Sequence, residues 1–434
     1  MRPRVSRTLL LILSVALVAR VGVIVATPDF KPIFDAAHYD RLGDSIAHGH
    51  AYFGQFQPAT PSAFRPPLYP FALAAVHLVG GGWTAERLLS ALFGVVAVLL
   101  VFLVSRRVWG ERVATVAGAI AAIFPPLVLL SASILSESLF VPLALAVVLA
   151  ILEYRRDPRL RWAVAAGVLC GLAALTRQNG LLLVIAAGGG VWAMRPRLSR
   201  QALVAPVVVA VAAVLTITPW VIRNTIEFHR FVGISTQSGY ALGATYNPES
   251  GRKHPAGTST MTYQVASYRD LYSRPLDEGV RSSRLTHRAI DYATGHPGYV
   301  ARTLVWNALR VFDIHHDAAF KLGFQANFLQ AVGDARLASR AVPASVYLLL
   351  ALALLGVMAQ VMRGTSVRRA PWYVWAVPVL LVLPAIPVYG LARYRSPVDP
   401  FLVMLAAVGL VAAYERVTAR RTQPGASAAA TARP

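Results

Sequence analysis

The sequence predicts an all-α, polytopic membrane protein, and two observations carry that prediction. Of its 434 residues 56% are hydrophobic and only 14% are charged, with a mean hydropathy of +0.54, too apolar for a soluble globular chain. Long apolar runs alternate with short loops in which arginines cluster. The net charge of +22 therefore does not ask for a nucleic-acid partner. Retention of positive charge on the cytoplasmic side, and attraction to anionic lipid head groups, accounts for it. The single cysteine, Cys170, stands in an apolar run and excludes an intrachain disulfide.

The elements follow in order. Arg2, Arg4 and Arg7 precede the apolar run 9–26, which is read as an uncleaved first span rather than a signal peptide because it is long and Arg20 interrupts it. The three arginines place the N-terminus inside and the following loop outside. Run 68–79 falls short of the roughly 20 residues that cross a bilayer and is read as a juxtamembrane helix. With that segment left out, the spans are 88–104, 113–130, 139–152, 162–175, 181–194, 202–222, 346–362, 372–389 and 401–414 after the first, about ten in all. Every cytoplasmic loop then carries arginines, among them Arg106, Arg107 and Arg112, Arg155 and Arg156, Arg195 and Arg197, Arg363 and Arg368, and Arg420 and Arg421.

The organisation is therefore 1–26, N-terminus and first span; 27–87, first outer loop; 88–222, spans two to seven; 223–341, a large outer region; 342–416, the last three spans; and 417–434, a disordered cytoplasmic tail. The fold of 223–341 is not legible beyond a helical pattern near 284–293. No internal repeat stands out and the span centres are almost uniformly apolar, which argues against a transporter.

The first outer loop holds the first candidate for chemistry. At helical spacing Asp35, His38, Tyr39 and Leu42 share one face, so that Asp35 sits on an amphipathic helix at the membrane surface and can act as a general base. Asp40 and Asp44 are alternatives for that role. Under the same topology Arg65, Arg87, Glu137, Arg177, Arg223, Arg393 and Arg395 gather at the outer ends of the spans, against the charge bias of that side. Arginine's fixed fork suits a phosphate, so Arg65, Arg177, Arg393 and Arg395 are expected to bind one. Activated nucleotide donors are made in the cytoplasm, and an outer-face transferase needs a donor that has already crossed. A lipid phosphate is the natural carrier. The run from Asp313 through His315 and His316 to Asp317 is read as a solvated loop rather than a metal site.

Taken in order, Asp35 with Tyr39, Arg65-Pro66-Pro67-Leu68-Tyr69-Pro70, Ser136-Glu137, Thr176-Arg177-Gln178-Asn179-Gly180, Pro219-Trp220 with Arg223-Asn224, and Arg393-Tyr394-Arg395-Ser396-Pro397 resemble the GT-C membrane glycosyltransferases. Within them they are similar to glycosyltransferase family 39, which includes protein O-mannosyltransferases and the lipid A aminoarabinose transferase. The resemblance implies a GT-C fold, a polyprenyl-phosphate-linked sugar donor and inverting transfer to a lipid, glycan or protein acceptor; the topology puts the site on the outer face, and low lysine against abundant Arg and Ala points to a bacterial inner membrane. It implies Asp35 as base, Arg65 on the donor phosphate, Tyr39, Tyr69 and Glu137 in acceptor or sugar contact, and a divalent metal at Asp35 and Glu137. The family often has Asp-Glu in the first loop, whereas this chain has Asp35-Ala36. The rival readings are transfer of a lipid-linked oligosaccharide and a lipid flippase.

Overall fold

Apolar helices set the architecture. The computed structural model describes residues 6–50, 52–53, 60–192, 199–253, 256–315, 335–361 and 369–421. The tail beyond Arg421 and the basic residues Arg2, Arg4, Arg195, Arg197, Arg363 and Arg368 lie outside these residues, as do His316 and Asp317. In chain order the main helices are α1 (Arg7–Val25), α2 (Asp35–Ala47), α3 (Leu68–Leu78), α4 (Trp83–Trp109), α5 (Glu111–Ile123), α6 (Pro125–Ser131), α7 (Glu137–Arg156), α8 (Leu160–Thr176), α9 (Leu183–Val191) and α10 (Arg200–Glu227). They continue with α11 (Gln237–Thr245), α12 (Glu278–Gly295), α13 (Pro297–Val311), α14 (Ala335–Val361), α15 (Trp372–Val382) and α16 (Asp399–Arg421). Among the described residues the only bridge of β type joins Phe53 and Pro61.

Six helices are long and apolar enough to cross a membrane: α1, α4, α7, α10, the 342–361 part of α14, and α16. The α5–α6 pair makes a seventh if its two halves count as one span, bent by 57°. The bend has a local cause. Pro125 and Pro126 exclude the preceding Phe124 from helical geometry, and Phe124 is extended, at φ −62° and ψ 116°. The expected spans 162–175, 181–194 and 372–389 appear as the shorter apolar helices Leu160–Thr176, Gln178–Val191 and Trp372–Ala385. A count of ten thus exceeds what helix length supports. Segment 68–79 is a short helix, α3, as expected.

Leu11 and Val18 on α1, Leu215 on α10 and Leu354 on α14 point outward, the arrangement of helices that face lipid. Inside, close approach depends on small residues. A Cβ at Gly171 on α8 would come within 2.5 Å of Thr216 Cβ on α10, and one at Gly356 on α14 would strike the Leu405 carbonyl on α16. Arg20 on α1 is buried and spends its donors internally, on Ser131 Oγ at 2.8 Å and on the Ala16 and Ala122 carbonyls at 2.9 and 3.1 Å.

The bundle has two chemically different ends. At one, arginines at helix termini pair with glutamates: Arg106 with Glu111 at 2.7 Å, Arg107 with Glu153 at 2.6 Å and Arg112 with Glu415 at 3.2 Å. At the other end lie α2, α3, the turn before α7, the end of α8 and residues 385–397. Residues 237–311, in the stretch that sequence reasoning left unassigned, are largely helical there, with α11 packed on α12. Asp277 caps α12 by accepting from Val280 N at 2.8 Å. Asn307 on α13 donates to the Ile386 carbonyl at 2.9 Å, and Thr245 at the end of α11 donates to the Val388 carbonyl at 2.7 Å. These bonds fix residues 385–390 over the bundle end. Gly390, at φ +54°, lies against Asn307 where a Cβ would reach 2.5 Å from its Cα.

Candidate active site

Asp35 opens α2, after Phe34 at φ 49° and ψ −117°. On the predicted face His38, Tyr39 and Leu42 are buried, as is Ala36 beside them. Asp35 Oδ1 accepts from Arg65 Nη2 and Oδ2 from Arg393 Nη2. Burial alone would raise the Asp35 carboxyl, but Arg393 and Arg65 outweigh it and hold the group well below the usual carboxylate range. The same attraction overcomes burial at both guanidiniums and raises them.

Arg65 is held from several sides. Its Nε donates to His38 Nδ1 at 3.3 Å, which assigns the His38 proton to Nε2, and its guanidinium lies 4.9 Å from the centre of the Tyr39 ring. Burial, and then Arg65, push His38 down to about 3, so it is neutral at ordinary pH. The loop that carries Arg65 is anchored by Glu278 on α12, whose carboxylate accepts from Ser62 Oγ at 2.7 Å, Ala63 N at 2.9 Å and Thr236 Oγ1 at 2.6 Å. Arg223 donates to the Ser62 carbonyl at 2.7 Å and stacks on Trp220, so it supports this loop.

Glu137, the first residue of α7, completes the cluster. Arg177 Nη1 lies 2.7 Å from Glu137 Oε1, and Arg393 Nε lies 3.7 Å from the same oxygen. Arg393 Nε is buried and donates to nothing among the described residues. Tyr39 Oη donates to Ser136 Oγ at 3.0 Å, and Tyr394 lies beneath the guanidiniums of both Arg177 and Arg393. The structure thus brings together Asp35, Tyr39, Arg65, Glu137, Arg177 and Arg393. Beside them opens a cavity of about 110 Å³ whose walls include Tyr39, Glu137, Arg177, Asn179, Tyr389 and Tyr394.

Two of the expected site residues stand apart from the cluster and its cavity. Arg395 points away from the cluster: Nε donates to Asp399 Oδ1 at 2.7 Å, and Nη1 to Asp313 Oδ2 at 2.8 Å and to the Val311 carbonyl at 2.9 Å. A guanidinium so occupied ties residues 311–313 to the start of α16. Tyr69 is fully buried behind Tyr39, at 5.1 Å between ring centres, with its hydroxyl 2.9 Å from Ser90 Oγ, and it does not line the cavity. Arg87 is likewise internal, donating to the Thr27 and Ala132 carbonyls. Asp40 and Asp44 face His77 on α3 rather than the arginines, which leaves Asp35 as the carboxylate in the cluster's first-loop wall.

The donor set also bears on a metal at Asp35 and Glu137. Both Asp35 oxygens accept from guanidiniums, and Glu137 faces two more guanidinium nitrogens. A shell this rich in fixed cations suits an anion, and these residues do not fit a divalent cation. Sequence reasoning passed over Tyr389 in the cavity wall and Glu278 behind the loop. Glu278 lies more than two hundred residues from its partners Ser62 and Ala63, and no local pattern announces the contact.

Residues 64–222 match the family model for dolichyl-phosphate-mannose-protein mannosyltransferase. That stretch carries Arg65, Glu137 and Arg177, while Asp35 and Arg393 lie outside it. No curated protein matches the chain. Among solved structures, the oligosaccharyltransferase of Archaeoglobus fulgidus in its apo form aligns with a TM-score of 0.53 at 15% identity, covering 95% of this chain and 51% of that one. AglB from Archaeoglobus fulgidus, in complex with an inhibitory peptide and a dolichol-phosphate, aligns with a TM-score of 0.50 at 15% identity, covering 98% and 52%. ArnT from Cupriavidus metallidurans bound to undecaprenyl phosphate gives a TM-score of 0.43 at 17% identity, covering 96% and 80%. The chain has the fold of the archaeal enzymes and spans about half their length.

Proposed function

For a membrane protein that resembles the GT-C glycosyltransferases in fold and matches a mannosyltransferase family model over residues 64–222, we propose transfer of a sugar from a polyprenyl-phosphate donor to an acceptor hydroxyl. The observation that carries the reading is a charge imbalance. Three guanidiniums, of Arg65, Arg177 and Arg393, meet two carboxylates, of Asp35 and Glu137, and the Arg393 Nε–H is unspent. The cluster therefore has a surplus of one positive charge, which a phosphodiester with its single negative charge neutralises.

The chemistry follows from that arrangement. Donor phosphate oxygens compete with Asp35 for Arg393 and Arg65, and each guanidinium drawn to the phosphate releases an Asp35 oxygen. The freed carboxylate takes the acceptor's hydroxyl proton. The acceptor oxygen then bonds to the anomeric carbon as the bond to the phosphate oxygen breaks. The electron pair leaves on the phosphate, and configuration at the anomeric carbon inverts. The departing lipid phosphate gains negative charge in this step, which the three arginines stabilise more strongly than the diester they first bound. Tyr39 and Glu137 border the cavity where sugar and acceptor meet.

The two-ended charge distribution supports an orientation with the arginine–glutamate end in the cytoplasm and the cavity on the outer face of a bacterial inner membrane. The test is release of polyprenyl phosphate by the purified protein in lipid, offered a panel of polyprenyl-phosphate sugars with hydroxyl acceptors. Acceptor-dependent release supports the reading. Movement of the intact lipid-linked sugar across the bilayer without bond cleavage would replace it with a flippase.

A further inference from the structure

A second cluster lies outside the arginine site, where α2, α3 and the start of α4 meet. Asp40 on α2, His77 on α3 and Glu86 on α4 each offer one ligand atom, and all three atoms lie within 4.8 Å of one another. His77 Nε2 is 3.0 Å from Glu86 Oε1 and 3.5 Å from Asp40 Oδ1. Ligand bonds near 2.1 Å in tetrahedral geometry put neighbouring donor atoms about 3.4 Å apart, so both separations suit one small ion.

Two further observations point to a ligand there. Glu86 is fully buried, and its second oxygen, Oε2, has no hydrogen-bond partner among the described residues. On the other side of the imidazole, the Asp44 carboxylate, 3.8 Å from Nδ1, is beyond hydrogen-bond reach but adds a third negative charge beside the site, which favours a cation. The side chains of Asp40 and His77 are 16% and 12% exposed, which gives an ion a way in.

We infer that Asp40, His77 and Glu86 form a binding site for a divalent transition-metal ion of the zinc class, which staples the first-loop helices α2 and α3 to α4. One imidazole with two carboxylates is a donor set that borderline metals prefer to calcium or magnesium. Nothing in this site depends on the transferase reading, because none of its ligands belongs to the arginine cluster.

The test uses full-length protein in detergent, stripped with chelator, desalted, and reloaded with Zn2+ or with Co2+ as its spectroscopic counterpart. The wild type should retain about one equivalent, show Co2+ d–d bands and unfold at a higher temperature when loaded. His77→Gln and Glu86→Gln should lose the bands and the temperature shift, and Asp35→Asn should keep both. Should either ligand variant fail to fold, Asp40→Asn, at the most exposed of the three ligands, serves instead and should likewise lose the bands and the temperature shift. Wild-type protein without cobalt bands, His77→Gln that binds as the wild type does, or loss of binding in Asp35→Asn would each overturn the inference.

Discussion

Arg393 bridges Asp35 and Glu137: its Nη2 donates to Asp35 Oδ2 while its Nε stands 3.7 Å from Glu137 Oε1. One guanidinium thus links the start of α2 to the start of α7, and its charge is the leading attraction that holds the Asp35 carboxyl low. Arg393→Ala should let that carboxyl rise toward its ordinary range. The pH profile of kcat/KM should then gain an acidic limb near about pH 4 that the wild type lacks, with a rate loss of about a hundredfold or more at neutral pH. An unchanged profile would separate Arg393 from the base.

His38 makes the fold itself sensitive to pH. It is fully buried and its folded pKa is pushed down from 6.5 to about 3, so between those values the unfolded chain takes up a proton that the folded one refuses. Stability contributed by His38 is complete above pH 6.5 and falls as pH drops through that window, by at most about 1.4 kcal/mol per pH unit. Thermal midpoints of wild type and His38→Gln at pH 7 and pH 5 measure this. The wild type should lose more than the variant on acidification.

The Arg395 triad should govern stability and leave donor recognition alone. Arg395→Ala leaves Asp313 and Asp399 as unpaired, nearly buried carboxylates, a change that costs about 3–5 kcal/mol. A lowered unfolding midpoint with unaltered donor affinity in the protein that remains folded is the expected result. A selective loss of donor affinity would return Arg395 to the phosphate site.

Glu278 is predicted to act through the loop it holds. Its three acceptor contacts fix residues 62–63 and hence the approach of Arg65. Glu278→Ala should lower kcat by up to about a hundredfold through misplacement of Arg65, and Glu278→Gln, which keeps acceptor capacity, should recover part of it. Equal rates for both variants and wild type would show that the anchor does not matter to turnover.

What sequence reasoning captured and missed has a physical pattern. The spans were legible because bilayer thickness dictates run length and arginine clusters between the runs, and the count differs only at the short helices 160–176, 178–191 and 372–385, whose lengths fall below a straight crossing. The convergence of Arg65, Arg177 and Arg393 was legible as unexplained charge at one end of the spans. Arg395 carried the same signature but has two carboxylate partners, one of them Asp313, remote in sequence. The Asp40–His77–Glu86 meeting was invisible because α2, α3 and α4 each contribute one residue, at spacings that match no metal motif.

The central claim is that Asp35 is the base freed by a donor phosphate. Sugar transfer by wild type and Asp35→Asn, from the same polyprenyl-phosphate donor in lipid, tests it most directly when donor binding is measured alongside. The account predicts that Asp35→Asn binds donor at least as tightly, since a carboxylate no longer competes for Arg65 and Arg393, while turnover falls by about a hundredfold or more. Equal turnover in the two proteins would contradict it.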